Sequence, residues 1–492
     1  MDTANAPSRF LSIDMGAESA RAIVGHISDG AIQLEELRRW PSRSTTVNDT
    51  AYWDILFMFD EVKNALRQYA EQYEPTLDGI GVDSWGVDFG ILGSSGHLLQ
   101  NPVQYRDHRT DGLVDRASEI LSRNAIYRET GIAFLQFNTL YQLWAVKQSA
   151  PEHLREGNTF LMMPDLIHYF LSGVVCCEYT NASTTQLLNV ESRQWSKQIF
   201  DAFGLPIQMM PEIVEPGTVL GPLLPHVAEE TGVHHGNVVV PCTHDTGSAV
   251  LAIPASENDF AYISCGTWSL FGAELQEPCI TPDALACNFT NEGGYGGTIR
   301  FLKSVMGLWV LQQARESWKR RGEAFEYEEL TDMAKSAPAF TAIIDIDKDE
   351  FYNPDDMLDA IATECAATNQ PIPSDVGTTV RVIMESLAIR YAVSLADLEY
   401  LTGRRFSTVH MVGGGTQNEL LCQWASNAMN RPVIAGPVEC TAMGNILTQA
   451  LGTGVIASHQ EARKMVIAAS DLRVYEPTNA AHWKPFLPPR NS

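Results

Sequence analysis

The chain has 492 residues, with 34 Lys and Arg against 60 Asp and Glu, which gives a formal net charge of −26. Its hydrophobic fraction of 45% and charged fraction of 19% are those of a globular protein rather than a disordered one. The strong negative charge argues against a general affinity for nucleic acid or for an anionic membrane. It does not exclude anionic ligands, because backbone N–H groups at loops and helix starts bind phosphate without Lys or Arg.

The N-terminal residues and the cysteines predict a cytoplasmic protein. The start, MDTANAPSRFLSID, lacks the apolar segment of a secretory signal. No apolar run approaches the ~20 residues that a membrane-spanning helix needs. The nine cysteines are an odd number without a C-x-x-C pair, so neither zinc nor a redox couple is indicated. At roughly 150 residues per domain, the length alone predicts about three domains.

Short β-rich runs alternate with helical stretches along the chain, which predicts an α/β fold. Residues 54–73 carry apolar side chains at spacings of three and four, the period of an amphipathic helix. Residues 379–403 predict a longer helix that ends at Gly403. The predicted strands, which end in Gly, Asp, Ser or a short apolar run, are RFLSIDMG (9–16), GIGVDSWGVDFGIL (79–92), NVVVPCTHD (237–245), AYISCG (261–266) and TVHMVGGG (408–415).

The chain resembles itself at an offset of about half its length. Residues 13–19 align with residues 263–269, and each copy has a strand, a turn glycine, a small or hydroxyl residue and a second strand. This order predicts a β-hairpin whose strands are two residues apart, at a glycine that permits a positive φ. Because the identity is slight, chance similarity is the alternative. A true repeat predicts two similar halves facing each other across a cleft, with a boundary near residue 250.

The first glycine turn, residues 14–21 (DMGAESAR), combines a strand-terminal carboxylate with a loop of small residues. Backbone amides and small hydroxyls in such a loop can hold phosphate oxygens, and Asp14 can orient a hydrated Mg²⁺. The alternative is a plain hairpin. No GK[ST] or GxGxxG follows, so neither a Walker A loop nor a Rossmann dinucleotide site is indicated.

Two further glycine turns lie in the second half, at residues 266–269 (GTWS) and 411–418 (MVGGGTQN). Three consecutive glycines are conformationally costly, so a purely structural role is disfavoured at residues 413–415. The turn leads into a helical stretch, whose N-terminus attracts anions. We therefore interpret residues 413–415 as a binding turn.

Asp245 is the best candidate for acid–base chemistry. It follows the apolar run 238–240 and precedes small residues that begin a helix. An unperturbed Asp titrates near ~3.9 and is a weak base, but phosphoryl transfer requires the hydroxyl to be positioned more than deprotonated. The alternative is a helix N-cap. For His244, the alternative to a catalytic partner is a packed histidine.

In their order along the chain, the motifs resemble those of the FGGY carbohydrate kinases, and within that family those of the rhamnulokinase group. The resemblance runs from residue 9 to about residue 450. Two of the motifs, EYTNASTTQL and FNTLYQLWA, favour that group over glycerol kinases and xylulokinases. The motifs are DMGAESAR, WDI, GVDSWGVDFGIL, PVQYRDHRT, MPDLIHYFLSG, THDTGSAV, SCGTWSLFG, TNEGG, MGLWVLQ, VGGGTQNELLCQ, EYTNASTTQL and FNTLYQLWA.

The resemblance implies an α/β fold with two actin-like (ribonuclease-H-like) domains flanking a catalytic cleft. Residues 1–250 would carry the sugar site and the first phosphate hairpin, and residues 251–492 the adenosine site and the second hairpin. The implied reaction is ATP-dependent phosphorylation of L-rhamnulose at the C1 hydroxyl in L-rhamnose catabolism, with Mg²⁺. The expected partners are the sugar and ATP, with no nucleic acid or membrane, and the choice between monomer and homodimer stays open.

The resemblance also assigns site residues, position by position. Asp245 matches the proton acceptor of the family, and Asp14 resembles the acid near the metal in related kinases. The substrate-binding residues are Gly86, His244, Asp245, Thr246 and Ser304. The ATP-binding residues are Ala17, Glu18, Ser19, Ala20, Arg21, Thr267, Gln312 and Gly414.

Two positions depart from the family pattern, and alternatives to the implied activity follow. Ser304 stands where an asparagine that contacts substrate is expected, and Glu18 stands where a small serine is usual. A sibling FGGY kinase acting on L-fuculose or L-xylulose is the nearest alternative. A non-kinase actin-like ATP-binding module and a catalytically inactive paralogue are the others.

Overall fold

The computed structural model describes residues 7–256 and 259–487. The strands are β1 (Ser8–Met15), β2 (Ser19–Ser28), β3 (Ala31–Pro41), β4 (Ser44–Val47), β5 (Thr50–Trp53), β6 (Thr76–Ser84), β7 (Phe89–Leu92), β8 (Thr159–Met162), β9 (Cys177–Glu178), β10 (Leu188–Asn189), β11 (Gln194–Trp195), β12 (Ile213–Val214), β13 (Val219–Pro222), β14 (His235–Val239), β15 (Phe260–Cys265), β16 (Ser269–Leu275), β17 (Thr290–Gly293), β18 (Ile299–Val305), β19 (Thr408–Val412), β20 (Val433–Ala435) and β21 (Arg473–Tyr475).

The α-helices are α1 (Ile55–Gln72), α2 (Leu113–Ile120), α3 (Arg123–Thr130), α4 (Thr139–Ser149), α5 (Met163–Ser172), α6 (Tyr179–Ala182), α7 (Lys197–Phe203), α8 (Pro225–Thr231), α9 (Asp245–Leu251), α10 (Pro282–Ala286), α11 (Trp309–Arg320), α12 (Tyr327–Ser336), α13 (Met357–Ala367), α14 (Val376–Thr402), α15 (Glu419–Met429), α16 (Cys440–Gly452), α17 (His459–Ala469) and α18 (Ala480–Trp483). Within the described part of the chain, none of them is both long and apolar enough to cross a membrane.

The chain folds into two compact units, each discontinuous in sequence. Among the described residues, unit 1 contains 7–252, 274–301 and 440–469. Unit 2 contains 253–256, 259–273, 302–439 and 470–487. A domain boundary near residue 250 stays a prediction, because the two later segments of unit 1 come from the second half of the chain.

Unit 1 is built on a six-stranded sheet with the order β13-β14-β6-β1-β2-β3. β1, β2 and β3 form an antiparallel meander, whereas β1, β6 and β14 run parallel and β13 is antiparallel to β14. Helix α1 buries Met58, Val62 and Leu66 in the same hydrophobic core as β1. Its N-cap, Asp54, accepts a hydrogen bond from the Phe57 amide at 3.2 Å. The amphipathic helix predicted over 54–73 is therefore confirmed.

Unit 2 repeats this arrangement with the consecutive strands β16-β15-β19-β20-β21. β15 is antiparallel to β16 and parallel to β19, β19 is parallel to β20, and β21 is antiparallel to β20. The corresponding strands of unit 1, in the same order and directions, are β2-β1-β6-β14-β13. The half-length repeat predicted from the sequence is thus present as a repeated strand order.

The spacing of two residues predicted between the strands of the two glycine hairpins is wrong. Three residues, 16–18 and 266–268, separate the strands, and neither Gly16 nor Gly266 has a positive φ. The Gly16 amide instead donates to the Ser19 carbonyl at 3.1 Å, and a Cβ on Gly16 would lie 2.8 Å from that oxygen. Glycine is required at Gly16 for close backbone approach, not for a left-handed conformation.

Two predicted strands are shorter than expected, and one predicted helix is confirmed. The run 79–92 is interrupted because β6 ends at Ser84 and a turn precedes β7. The run 237–245 leaves the sheet at Val239. Helix α14 ends where predicted, at Gly403, which caps it with a φ of 64°.

Candidate active site

Two aspartates lie at the carboxyl ends of neighbouring parallel strands in unit 1, and a third follows the end of the next strand. Asp14, next to last in β1, is the register partner of Asp83, next to last in β6. His244 pairs with Ser84 in a parallel bridge, which places Asp245 beside this edge. Ligands of open α/β sheets bind outside the carboxyl ends of the strands. The structure therefore brings the predicted Asp14 and Asp245 together, and adds Asp83.

Asp245 has one held oxygen and one available oxygen. It begins α9, and the N-cap is His244, so Asp245 does not serve as the N-cap. Its Oδ1 accepts from the Thr246 amide at 2.5 Å and from the Thr246 hydroxyl at 3.1 Å. The side chain keeps 33% of its surface exposed, and no donor within residues 7–256 and 259–487 is assigned to Oδ2. Oδ2 is thus the atom that can take a proton from a ligand.

The surroundings of Asp245 make it a stronger base than an ordinary aspartate. Desolvation raises its pKa, and the nearby Asp14 carboxylate raises it further, against the opposing effects of His244 and the Thr246 hydrogen bonds. A catalytic base works best when its pKa lies closer to the working pH. The environment of Asp245 thus favours proton transfer from a ligand.

Asp83 is fully buried and was not selected from the sequence. Asn445 of α16 donates to its Oδ2 at 2.5 Å, while its Oδ1 has no hydrogen-bond partner in the described part of the chain. Desolvation, followed by the charge of Asp14, raises the pKa of Asp83 well above its usual value. The site thus favours a neutral Asp83 between two charged neighbours. The signal for it was its place at the end of a strand adjacent to the one that carries Asp14.

Asp14 is paired with Arg21, its register partner on β2. Arg21 donates to the same oxygen, Asp14 Oδ2, through Nε at 2.9 Å and through Nη2 at 2.8 Å. In the described residues, no group of three or more His, Cys, Asp and Glu side chains is arranged to hold a metal ion. Mg²⁺ commonly uses one or two carboxylates, with waters and phosphate oxygens as the other ligands. The remaining oxygen of Asp14 fits that kind of site.

The first glycine turn is anchored by Ser42 through two hydrogen bonds. The Ser42 hydroxyl donates to the Gly16 carbonyl at 2.6 Å, and its amide donates to the Glu18 carbonyl at 3.0 Å. Glu18 and Ser19 are exposed, Ala17 is half-buried and Ala20 is buried. The unusual acid at position 18 therefore lies at the solvent-facing part of the turn.

Glu178, which the sequence interpretation also missed, joins two segments of the site. Its buried carboxylate accepts from the Thr180 amide at 2.7 Å and hydroxyl at 2.6 Å, and from the Thr243 amide at 2.9 Å and hydroxyl at 2.7 Å. The Thr180 hydroxyl in turn accepts from the His244 amide at 3.2 Å. Glu178 thus anchors the loop that ends at Asp245. Its sequence signal was the EYTNASTTQL motif.

Gly86 lies in a strained turn between β6 and β7. A Cβ on Gly86 would be 2.8 Å from the Thr184 hydroxyl, and Val87 has a φ of 69°, which is rare for a β-branched residue. The Val87 amide donates to the Thr184 hydroxyl at 3.1 Å, and the Val87 carbonyl accepts from the Thr139 hydroxyl at 2.7 Å. Such strain persists where neighbours over-determine it, often at functional sites.

In unit 2, Thr267 lies next to the start of α11. The Trp309 amide donates to the Thr267 carbonyl at 3.0 Å, and Gln312 follows one turn along the helix. The Gln312 Oε1 atom is buried and has no hydrogen-bond partner among the described residues. Ser304, near the end of β18, is half-buried. The structure therefore places Thr267 against the first turn of the helix that carries Gln312, and Gln312 offers an unsatisfied acceptor.

The three consecutive glycines have different structural reasons. Gly413 has a φ of 88°, and a Cβ on Gly415 would lie 2.2 Å from Cys265 Sγ. Gly414 is exposed, and a Cβ there would meet nothing within 4 Å. Packing and conformation thus account for Gly413 and Gly415, and a binding role for the run stays a prediction. Gly414 alone is left without a structural requirement.

Comparisons with known proteins agree with this architecture. The family model described as the N-terminal domain of the FGGY family of carbohydrate kinases matches residues 9–252, and the C-terminal domain model matches residues 261–453. A rhamnulokinase of Bacteroides thetaiotaomicron is 40% identical over 474 residues, covering 96% of this chain and 97% of that relative. A rhamnulokinase of Oceanobacillus iheyensis is 39% identical over 466 residues, covering 94% and 97%.

Solved structures show the same fold at lower identity. The ligand-bound xylulose kinase from Lactobacillus acidophilus superposes with a TM-score of 0.81 at 17% identity, over 97% of this chain and 96% of that one. Plasmodium falciparum glycerol kinase with ADP superposes with a TM-score of 0.79 at 16% identity, over 98% and 96%. With both family models and near full-length relatives in agreement, the chain belongs to the FGGY family of carbohydrate kinases.

Proposed function

We propose that this chain phosphorylates L-rhamnulose at the C1 hydroxyl, with ATP as phosphoryl donor, and releases L-rhamnulose 1-phosphate and ADP. The observation that carries the proposal is the 40% identity, over 96% of the chain, to a relative named as a rhamnulokinase. The recessed Asp245, with one oxygen held and its pKa raised by desolvation, supports it chemically.

Asp245 is the proton acceptor in this proposal. The sugar C1 oxygen forms a bond to the γ-phosphorus while the bond from that phosphorus to the β–γ bridging oxygen breaks. The proton of the C1 hydroxyl passes to Asp245 Oδ2, while Thr246 holds Oδ1 in place. General base catalysis of this kind contributes typically ~10²–10⁴-fold.

The remaining site residues keep the roles that the resemblance implies. Mg²⁺, when bound near Asp14, would neutralise phosphate charge. The sugar contacts are assigned to Gly86, His244, Thr246 and Ser304. The ATP contacts are assigned to Ala17, Glu18, Ser19, Ala20, Arg21, Thr267, Gln312 and Gly414.

The direct test is Asp245→Asn, with Asp355→Asn at an exposed position as the matched control. We expect kcat with ATP and L-rhamnulose to fall at least about 10²-fold in the Asp245 variant, because the proton acceptor is lost. The control should keep wild-type turnover, and circular dichroism should show both variants folded. Near wild-type turnover of folded Asp245→Asn would contradict the assignment.

Substrate choice is tested with a panel of L-rhamnulose, L-fuculose and L-xylulose. We expect the highest kcat/KM for L-rhamnulose and a phosphate on C1, identified by NMR of the product. A higher value for either other ketose would replace L-rhamnulose in the proposal. Release of ADP that does not depend on added sugar would instead indicate an ATP-binding module without kinase activity.

A further inference from the structure

An ion pair between Arg300 and Glu292 lies beside the Nδ1 atom of His244. Arg300 on β18 is fully buried, and its Nη1 lies 3.1 Å from Glu292 Oε2 on β17. Arg300 Nε donates to the Gly293 carbonyl at 2.7 Å, which fixes the guanidinium plane. No site role was assigned to Glu292 or Arg300 from the sequence. A buried charge pair is expensive to keep, so its position behind a site histidine calls for a functional explanation.

Both charged groups reach the same histidine nitrogen. His244 Nδ1 is 3.0 Å from Arg300 Nη2 and 3.2 Å from Glu292 Oε2. The other ring nitrogen, Nε2, lies 3.5 Å from Asp245 Oδ1. A proton on Nδ1 would suit Glu292, whereas a lone pair on Nδ1 would suit Arg300. A proton on Nδ1 leaves a lone pair on Nε2, next to Asp245. A lone pair on Nδ1 instead leaves the proton on Nε2.

The guanidinium decides between them, because it has donors only and cannot accept a hydrogen bond. The Arg300 Nη2–H group points at Nδ1 with hydrogen-bond geometry, whereas Glu292 Oε2 has an ion-pair distance without such geometry. A proton on Nδ1 would leave that buried Arg300 donor facing another donor. An unsatisfied buried donor destabilises the fold, and a charged one does so more strongly.

We propose that Arg300, balanced by Glu292, is a positioning residue that holds His244 as the neutral tautomer with its proton on Nε2. The Nε2–H group then faces Asp245 Oδ1 at 3.5 Å, beside the two Thr246 donors that hydrogen-bond to this oxygen. Oδ1 is thereby kept as an acceptor of protein hydrogen bonds, and Oδ2 is left for the substrate proton. With the proton on Nδ1, two lone pairs would meet and the carboxylate would lose this restraint.

The tautomer is measured by ¹⁵N-detected NMR of the histidine rings at pH 8, without substrate. His244→Gln identifies the signals among those of the 12 histidines. In the wild type we expect a protonated Nε2 and an unprotonated Nδ1. In Arg300→Met we expect the proton on Nδ1, drawn there by the now unbalanced Glu292. Glu292→Gln, which keeps Arg300, should retain the wild-type pattern.

A wild-type spectrum with the proton on Nδ1 overturns the proposal, as does an unchanged pattern in folded Arg300→Met. If Arg300→Met fails to fold, the wild-type and Glu292→Gln spectra decide. Arg128→Met, at an exposed position, controls for the loss of an arginine as such.

Kinetics give the second readout, and this part rests on the proposed function. We expect Arg300→Met to lower kcat by roughly 10- to 100-fold, the effect of one hydrogen bond to a charged group, with the KM for ATP within about twofold. Arg300→Lys, which keeps a donor and the charge, should recover part of the loss. Unchanged kcat in folded Arg300→Met overturns the proposal. Full activity of Asp245→Asn would overturn the proposed function and leave the NMR result standing.

Discussion

Three carboxylates at one sheet edge of unit 1 differ in what surrounds them, and this difference separates their roles. Asp14 faces the guanidinium of Arg21, Asp83 is fully buried against an amide of Asn445, and Asp245 keeps a third of its side chain exposed. Desolvation raises the pKa of both Asp83 and Asp245. Of these two residues, only Asp245 has a carboxylate oxygen that a ligand can reach. The same residue type thus provides an ion-pair partner, a buried group that favours the neutral form and a partly exposed carboxylate with a raised pKa.

Asp83→Asn tests the neutral state of Asp83. The asparagine carbonyl can accept the Asn445 hydrogen bond, and its amide replaces the oxygen that has no partner. Because the folded-state pKa of Asp83 is raised, the wild type loses stability as the pH rises above the unfolded value near ~3.9, by up to about 1.4 kcal/mol per pH unit until the folded pKa is passed.

We therefore expect Asp83→Asn to melt at a higher temperature than the wild type at pH 8, with a smaller difference at pH 5. Calorimetry at both pH values measures this, and Asp355→Asn serves as the exposed control. A variant that melts below the wild type at pH 8 would show that Asp83 is stabilising as an anion.

At the scale of elements, the positions of the candidate site residues are set by the ends of the strands. In each unit an antiparallel hairpin continues into two parallel strands, and the candidate residues follow the carboxyl ends of those strands. In unit 2, β15 and β19 are parallel neighbours, so the turns at 266–268 and 413–415 meet at one edge. In the turn at 413–415, Gly415 packs tightly against Cys265 whereas Gly414 has open space around it. Substitutions at these two glycines can therefore separate packing from ligand binding.

Gly415→Ala and Gly414→Ala form a matched pair. The added Cβ at 415 would meet Cys265 Sγ at 2.2 Å, so we expect a loss of about 1–3 kcal/mol in the free energy of unfolding from overpacking. The Cβ at 414 meets nothing, so stability should change by less than ~0.5 kcal/mol while the KM for ATP rises. Denaturant titration and initial-rate kinetics measure the two effects. A Gly414→Ala enzyme with unchanged KM for ATP would remove Gly414 from the ATP contacts.

At the scale of the whole molecule, a protein with a net charge of −26 is proposed to bind the polyanion ATP. The candidate phosphate turn offers backbone amides, small residues, the exposed acid Glu18 and one arginine that is already paired with Asp14. Phosphate recognition by amides and a metal ion acts at short range, whereas the overall charge acts at long range and repels ATP until salt screens it.

The salt dependence of the KM for ATP distinguishes these contributions. Between ~0.05 M and ~0.3 M NaCl at constant free Mg²⁺, we expect KM to stay within about twofold or to fall, because salt screens the repulsion. The KM for the uncharged sugar is the internal control and should not change. A KM for ATP that rises several-fold with salt would indicate recognition by a basic patch.

Much of the fold could be predicted because it follows from local patterns in the sequence. The apolar period over 54–73 predicted α1, Gly403 marked the end of α14, and the half-length repeat anticipated the strand order shared by both units. The geometry of the glycine hairpins could not be predicted, because the approach of Gly16 to the Ser19 carbonyl depends on how the turn closes rather than on residue type.

By itself, the sequence determined the α/β class, the duplication, the family resemblance and the candidates Asp14 and Asp245, since each depends on periodicity or on a contiguous motif. Only the tertiary structure decided the electrostatic state of the site. Asp83 meets Asn445, 362 positions away, and His244 meets Arg300, 56 positions away. Burial and charge pairing come from contacts between residues far apart in the chain, and no local pattern specifies which of them will meet.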